Sequence, residues 1–436
     1  MSADQNVALK KVLKPIHLWA IAVGLVISGE YFGWNYGWGV SGTIGFLIAT
    51  LIVTVLYVTF IFSFTELTTS IPQAGGPFAY AHRAFGWWGG IIAGYATLVE
   101  FLIAPPAIAF ALGSYAHFLY PSLSVLQVAF ACYVIFIGIN LLGIKESAMF
   151  SLVVTILAVA ELLLYIGIVV PHFSYETFVT DPMPFGWAGV FAALPFAIWF
   201  YLAIEGVAMV AEEVENPKKT ISLGYIYGIL TLVVLALAVM IVTGGITHWR
   251  NLSTIDYPLP AALGIVLGRN SSWTHLFASL GLFGLIASFH GTIIGYSRQI
   301  YALARSGYLP SFLGQVNAKF QTPHWALIAG GVIGCVALSL GTTDQVIILA
   351  ALGAVVMYII SMAALFALRK KEPALERPFS VPFYPYFPAI SLLLSLLCLV
   401  TIVYYNFLLS VWFFGGLLLI TIIFLLTRNK STTNHQ

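Results

Sequence analysis

Four glutamates stand inside long apolar stretches of this sequence: Glu30, Glu100, Glu161 and Glu205. No lysine or arginine lies at comparable depth in any of them. An ionised side chain at the centre of a bilayer costs about 2.5–3.5 kcal/mol even on the most lenient scales. Each of these groups must therefore be neutralised, by a proton or by a cation brought from outside. An anionic interior with no cation of its own suits a proton or an organic ammonium. The plainer alternative, that a glutamate is simply protonated or bonded to its helix neighbours, stays open, most of all for Glu161.

Two of the four adjoin a glycine: Gly29–Glu30 in GLVISGEYFGWNYG (Gly24 to Gly37), and Glu205–Gly206 in WFYLAIEGVAM (Trp199 to Met209). Glycine lowers helix stability by about 1 kcal/mol, and a carboxylate there prefers freed backbone amides or a wet cavity. Paired interruptions at corresponding places in two halves of a membrane chain point to a central substrate site. Glycine as a close-packing residue is the competing reading for any single position. Trp199 lies six residues before Glu205, and an indole face attracts an ammonium by about 0.5–2 kcal/mol. Glu100 is followed by Ala104, Pro105 and Pro106, and the prolines leave backbone carbonyls without donors. His290 and Thr292 add polar groups to a later apolar stretch.

The elements that must hold these residues follow from composition. Of 436 residues, 60% are hydrophobic and 8% charged, against roughly 25% charged in soluble domains. Such a chain needs lipid as its solvent. A helix needs about 20 apolar residues to cross the hydrocarbon. Twelve stretches qualify: spans 1 to 12 cover 17–39, 41–64, 87–112, 122–143, 148–170, 187–210, 221–244, 275–297, 324–341, 345–367, 384–405 and 408–427. The loop 245–274 holds a shorter apolar run, Leu259 to Leu267, expected on the outer face. The polar start, Met1 to Lys14, runs directly into a full-length span, unlike a cleavable signal peptide.

Orientation follows from the basic residues. With the N-terminus in the cytoplasm, Lys10, Lys11, Lys14, Arg83, Lys145, Lys218, Lys219, Arg298, Arg305, Lys319, Arg369, Lys370, Lys371, Arg377, Arg428 and Lys430 fall inside. Arg250 and Arg269 fall outside. One span more or fewer would destroy this bias of 16 to 2. Trp87, Trp88, Trp187 and Trp273 stand at span ends, as interfacial aromatics do. The expected location is the cell membrane, with both termini cytoplasmic. Cys132, Cys335 and Cys398 are too scattered for a disulfide framework or a metal site. No nucleophile elbow or phosphate-binding glycine loop is present, so an enzyme is not expected. Nor is a cofactor or a nucleic-acid partner. Short tails without an output domain argue against a sensor.

Four segments resemble the amino acid–polyamine–organocation transporter superfamily: ELTTSIPQAGGPFAY (Glu66 to Tyr80), AEEVENPKKTIS (Ala211 to Ser222), YALARSGYLPSFL (Tyr301 to Leu313) and ERPFSVPFYPYFP (Glu376 to Pro388). Their order matches as well. ISGEYFGWNYG (Ile27 to Gly37) most resembles the ethanolamine permease branch. The resemblance implies an all-α, leucine-transporter-like fold with discontinuous spans 1 and 6. It also implies two inverted repeats, 17–170 and 187–367, two extra helices over 384–427, and tails 1–16 and 428–436. Transport would be by alternating access.

Carried over residue by residue, Ser28, Gly29 and Glu30 stand where amino acid carriers of the superfamily commonly have Gly-Ser-Gly, whose amides bind a substrate carboxylate. Like charges about 4 Å apart at an effective dielectric near 20 repel by about 4 kcal/mol, close to a thousandfold in affinity. The resemblance therefore implies a substrate with an ammonium and no carboxylate, such as ethanolamine. The alternative is a zwitterionic amino acid facing a protonated Glu30. Trp199 matches the aromatic lid. Ala203, Ile204 and Glu205 fill a Gly-Phe-Glu pattern, so carbonyls from Tyr201 to Ala203 would face the amine and Glu205 would act as a gate. Glu100, Ala104 and Thr292 would border the substrate, and His290 more often packs helices than binds. Many relatives carry a lysine on span 5 in place of a sodium ion. Ala158 occupies that position here, and Glu161 is the nearest titratable group. Proton coupling is expected over sodium.

Overall fold

The computed structural model describes residues 13–73, 75–143 and 148–433, with side chains through Leu426. Lys10, Lys11 and Lys145, the side chains of Arg428 and Lys430, and residues 1–12 and 434–436 lie outside the described residues. What is described is helical, without a strand; one isolated bridge pairs Leu13 with Val214.

Nine of the described helices are long and apolar enough to cross a membrane. They correspond to spans 2, 3, 5, 6, 7, 8, 10, 11 and 12. The other three expected spans coincide with shorter apolar helices, Pro15–Val26, Val125–Leu141 and His324–Leu340. The outer apolar run forms a helix of its own, Pro258–Leu267. Several helices outrun the apolar stretch that announced them. Trp87–Leu119 and Ser272–Arg305 are examples; a helix continues past the hydrocarbon as long as its backbone bonds are met. Trp87–Leu119 also runs through Pro105 and Pro106. Neither proline has an N–H to offer, so the carbonyls of Phe101 and Leu102 lose their usual helical donors.

Spans 3 and 10 form the interior, with 83% of each apolar window buried, whereas span 12 has 11% buried and faces outward. Spans 1 and 2 are joined without a loop. The run Tyr36–Ser70 contains a single non-helical residue, Gly42, at φ 69° and ψ −179°. Glycine adopts that backbone freely, and a Cβ here would lie 2.7 Å from the Pro182 carbonyl oxygen. That carbonyl accepts from the Ile44 and Gly45 N–H groups, at 2.9 and 3.1 Å.

Near the other end of span 2, Glu66 is 1% exposed. It accepts from Arg369 Nε at 2.8 Å and Nη2 at 2.5 Å, and from the Val381 N–H at 2.8 Å. Arg377 Nε lies 3.3 Å away. Arg83 pairs with Glu372, and Arg298 with Glu213, where the Leu13 backbone is also bonded. Arg250 instead pairs with Asp181, beside the Pro182 cap at the opposite end of span 2. Arg369 and Arg377 thus lie at one end of span 2 and Arg250 at the other.

Candidate substrate site

Span 1 is broken, but later than the Gly29–Glu30 pair suggested. Pro15–Val26 and Ser28–Tyr31 are helical; Phe32 is extended, Gly33 has φ +91°, and helix resumes at Tyr36. Asn35 explains the position. Its side-chain oxygen accepts the Gly33 N–H at 3.0 Å, and its amide donates to the Leu252 and Ile255 carbonyls at 2.6 and 2.8 Å. Span 6 breaks earlier than Glu205–Gly206. The helix Leu194–Trp199 ends, the chain unwinds to Ala203, and a 3₁₀ segment, Ile204–Glu213, follows. Ala203 holds φ +78°, a left-handed conformation that costs a non-glycine residue about 1–2 kcal/mol. Its N–H donates to Glu100 Oε1 at 3.2 Å. Glu100 thus satisfies the backbone group that the break exposes.

The two breaks touch. A Cβ on Gly29 would lie 2.4 Å from the Trp199 carbonyl oxygen. Beside this contact is a small cavity of about 10 Å³, and its lining includes Ser28, Ala104, Trp199, Ala203 and Thr292. Leu25, Val26, Ile108 and Leu202 complete the wall and make it mostly apolar. The Trp199 indole N–H is buried and has no hydrogen-bond partner. The Ser288 hydroxyl donates to the Leu25 carbonyl at 2.6 Å and shares a 2.8 Å bond with Ser28. Thr292 donates to the Ser288 and Phe289 carbonyls.

The model for the amino acid permease family matches residues 13–428. The chain belongs to the amino acid permease family. Among its relatives is an uncharacterised transporter of Rhizobium meliloti (strain 1021), 29% identical over 88% of this chain and 85% of the relative. Another is a branched-chain amino acid permease of Bacillus subtilis (strain 168), 27% identical over 86% and 83%. A methylthioribose transporter of the same organism is 26% identical over 76% and 75%. The permease is a multi-pass secondary transporter of the amino acid–polyamine–organocation superfamily, not an enzyme.

The permease keeps four of the expected substrate contacts outside the cavity lining. Gly29 is pressed on the Trp199 carbonyl. Glu30 is 0% exposed, and neither carboxylate oxygen has a hydrogen-bond partner. Tyr201 bonds Thr54 at 2.7 Å and packs on Tyr57. Glu100 neighbours Glu205, close to the bonded pair Tyr57–Tyr358. Glu161 accepts from the Tyr31 hydroxyl at 2.8 Å. His290 Nε2 lies 3.2 Å from Asn140 Oδ1, a tie between spans 8 and 4. A separate apolar groove is lined by Phe130, Ile137 and Cys335 of spans 4 and 9.

No local pattern singles out Asp256, which lies at the Tyr36 end of span 2. Its carboxylate accepts from Tyr36 at 2.7 Å, Thr343 at 3.0 Å and Ser114 at 3.5 Å, joining the 245–274 loop to spans 1, 10 and 3. Burial pushes the Asp256 carboxyl above the ordinary carboxylate range, while the three hydroxyls oppose the shift. Opening the loop to water would return it towards its usual value, so the protonated form favours the closed arrangement. Closure is then strongest at low pH and weakens as pH rises through the elevated value. Asp256→Ala removes three bonds worth about 0.5–1.5 kcal/mol each, so labelling of a cysteine placed at Ala104 should rise by about tenfold or more. A membrane-impermeant maleimide on protein stripped of Cys132, Cys335 and Cys398 measures this. An unchanged rate would mean that the loop does not control access.

Proposed function

We propose that this permease carries a small organic amine, ethanolamine, across the cytoplasmic membrane by alternating access. The observation that carries the reading is Glu30: a fully buried carboxylate beside the break of span 1, with both oxygens unpartnered. Such a group is neutralised by a proton or by a cation, and an ammonium without a carboxylate brings the positive charge at no electrostatic cost. The cavity, at about 10 Å³, has room for about one water in this arrangement, so a substrate fits only once the two breaks move apart. The unpaired Trp199 N–H is available to a hydroxyl oxygen, and its ring to the ammonium. In this reading the ammonium reaches Glu30 when Trp199 moves off Gly29, so binding and rearrangement of the breaks are one event. The 16-to-2 distribution of basic residues supports cytoplasmic termini. Spans 1–5 and 6–10 are taken as the two inverted repeats, and the coupling ion as a proton.

A second reading, a small aliphatic amino acid, is favoured by the apolar wall of Leu25, Val26, Ile108 and Leu202, from which Glu30 is absent. The branched-chain amino acid permease among the relatives points the same way. Uptake into proteoliposomes of labelled ethanolamine beside labelled leucine and alanine separates the two. Ethanolamine uptake that neither amino acid competes supports the amine. Leucine or alanine uptake with ethanolamine ignored overturns it. Bonds to charged groups contribute about 1.5–3 kcal/mol, so Glu30→Gln should weaken ethanolamine uptake by about 10- to 100-fold.

A further inference from the structure

The inner half of span 6 is not an α-helix. Ile204–Glu213 forms a 3₁₀ helix of 10 residues. Such runs rarely exceed about four residues, because their hydrogen bonds are poorly aligned. Burial follows the same repeat. Glu205, Ala208, Ala211 and, just past the end, Val214 are 0%, 0%, 1% and 0% exposed. Side chains three residues apart eclipse one another in a 3₁₀ helix. In an α-helix each step along this row would turn by about 60°, and Val214 would face away from Glu205.

The segment is fastened at both ends. At the break, the Ala203 N–H is held by Glu100, and the Tyr225 hydroxyl of span 7 donates to the Glu205 carbonyl at 3.2 Å. At the inner end, Arg298 of span 8 donates from Nη1 to the Met209 carbonyl and from Nη2 to Glu213 Oε1, both at 3.3 Å. The Glu213 carbonyl accepts the Leu13 N–H at 3.1 Å, and the Leu13 carbonyl accepts the Glu215 N–H at 3.2 Å. The chain entering span 1 is therefore bonded to the end of this segment. A 3₁₀ helix rises about 2.0 Å per residue and an α-helix about 1.5 Å. Conversion of the whole segment would shorten it by about 5 Å.

We propose that Arg298 holds Ile204–Glu213 extended as a 3₁₀ helix, and that the segment contracts to an α-helix as the cytoplasmic side opens. The contraction draws Leu13 and the start of span 1 with it. An α-helix also turns about 20° less per residue, so the inner end rotates as it shortens. That rotation carries the Met209 carbonyl and Glu213 away from the guanidinium, which makes Arg298 the catch that must release first. This inference rests on the carrier working by alternating access, but not on ethanolamine being its substrate.

The experiment is spin labelling of the full chain in lipid nanodiscs, with Cys132, Cys335 and Cys398 replaced. A nitroxide placed singly at each of residues 207–213 reports its exposure to a water-soluble relaxing agent. With Arg298 present, exposure should repeat about every 3.0 residues; in Arg298→Ala, about every 3.6. The distance between labels at Trp187 and Glu212, near the two ends of span 6, should shorten by about 5 Å in Arg298→Ala. A cysteine at Ala104 should then react with an impermeant maleimide added from the cytoplasmic side. A repeat of about 3.6 already present with Arg298 overturns the proposal, as does an unchanged repeat and distance in Arg298→Ala. Should Arg298→Ala fail to fold, Tyr225→Phe frees the other end and should give the same shortening; an unmoved distance overturns the proposal. Ethanolamine and leucine are then added separately to the protein that retains Arg298. Shortening by leucine alone would refute the amine substrate and leave the contraction supported.

Discussion

Gly29→Ala is expected to reduce uptake by about a hundredfold while the protein still folds and purifies. The added methyl carbon would sit 2.4 Å from the Trp199 carbonyl oxygen and 3.2 Å from the Phe200 Cα. Both are backbone atoms at the break of span 6, so no flexible side chain can yield. Overpacking costs about 1–3 kcal/mol, and a backbone contact belongs at the upper end. That corresponds to about a hundredfold in the population of the touching arrangement. Gly206→Ala is the useful contrast. Its methyl would meet the ends of the Leu25 and Phe101 side chains at 3.0 Å, which can rotate aside, so its loss should be much smaller. Equal uptake by Gly29→Ala and wild type would mean that the two breaks do not press together in any state the cycle visits.

Glu66→Ala should lower stability by about 3–5 kcal/mol, the usual result of removing one partner from a buried ion pair. The substitution leaves Arg369, Arg377 and the Val381 N–H converging on a space with no acceptor. Arg369 also lies over the Tyr384 ring at 3.7 Å, which fixes its guanidinium and prevents it from simply turning to water. The midpoint of thermal unfolding in detergent reads the effect. Glu66→Gln keeps an acceptor oxygen and should lose less. A midpoint equal to wild type in Glu66→Ala would mean that the pair is balanced by its own desolvation.

The spans were legible because a bilayer asks little of a sequence beyond apolar length and charge placement. The breaks were legible in kind and displaced in position. Gly29–Glu30 and Glu205–Gly206 drew attention as weak helix, but the chain unwinds at Phe32 to Asn35 and at Phe200 to Ala203. What decides the position is the group that can satisfy the freed backbone. For span 1 that is Asn35, nearby in sequence. For span 6 it is Glu100, from span 3, and no local pattern announces such a partner. The cavity's polar side, Ser28, Trp199 and Thr292, was legible from residue type and the family resemblance. Its apolar wall was not, since Leu25, Val26, Ile108 and Leu202 look like any other lipid or packing residue.

The joint between spans 1 and 2 has a mechanical consequence. A flexible loop absorbs displacement; a single glycine held at Gly42, with its neighbours' N–H groups fastened to the Pro182 carbonyl, has no slack to absorb any. Movement of the outer part of span 1 is therefore transmitted to span 2 as a crank turns a shaft. Span 2 carries Glu66 at its far end, so a push near Tyr36 is delivered to the Arg369 clamp on the opposite face. The two ends of the molecule are linked by one stiff lever, which makes simultaneous opening of both faces mechanically awkward.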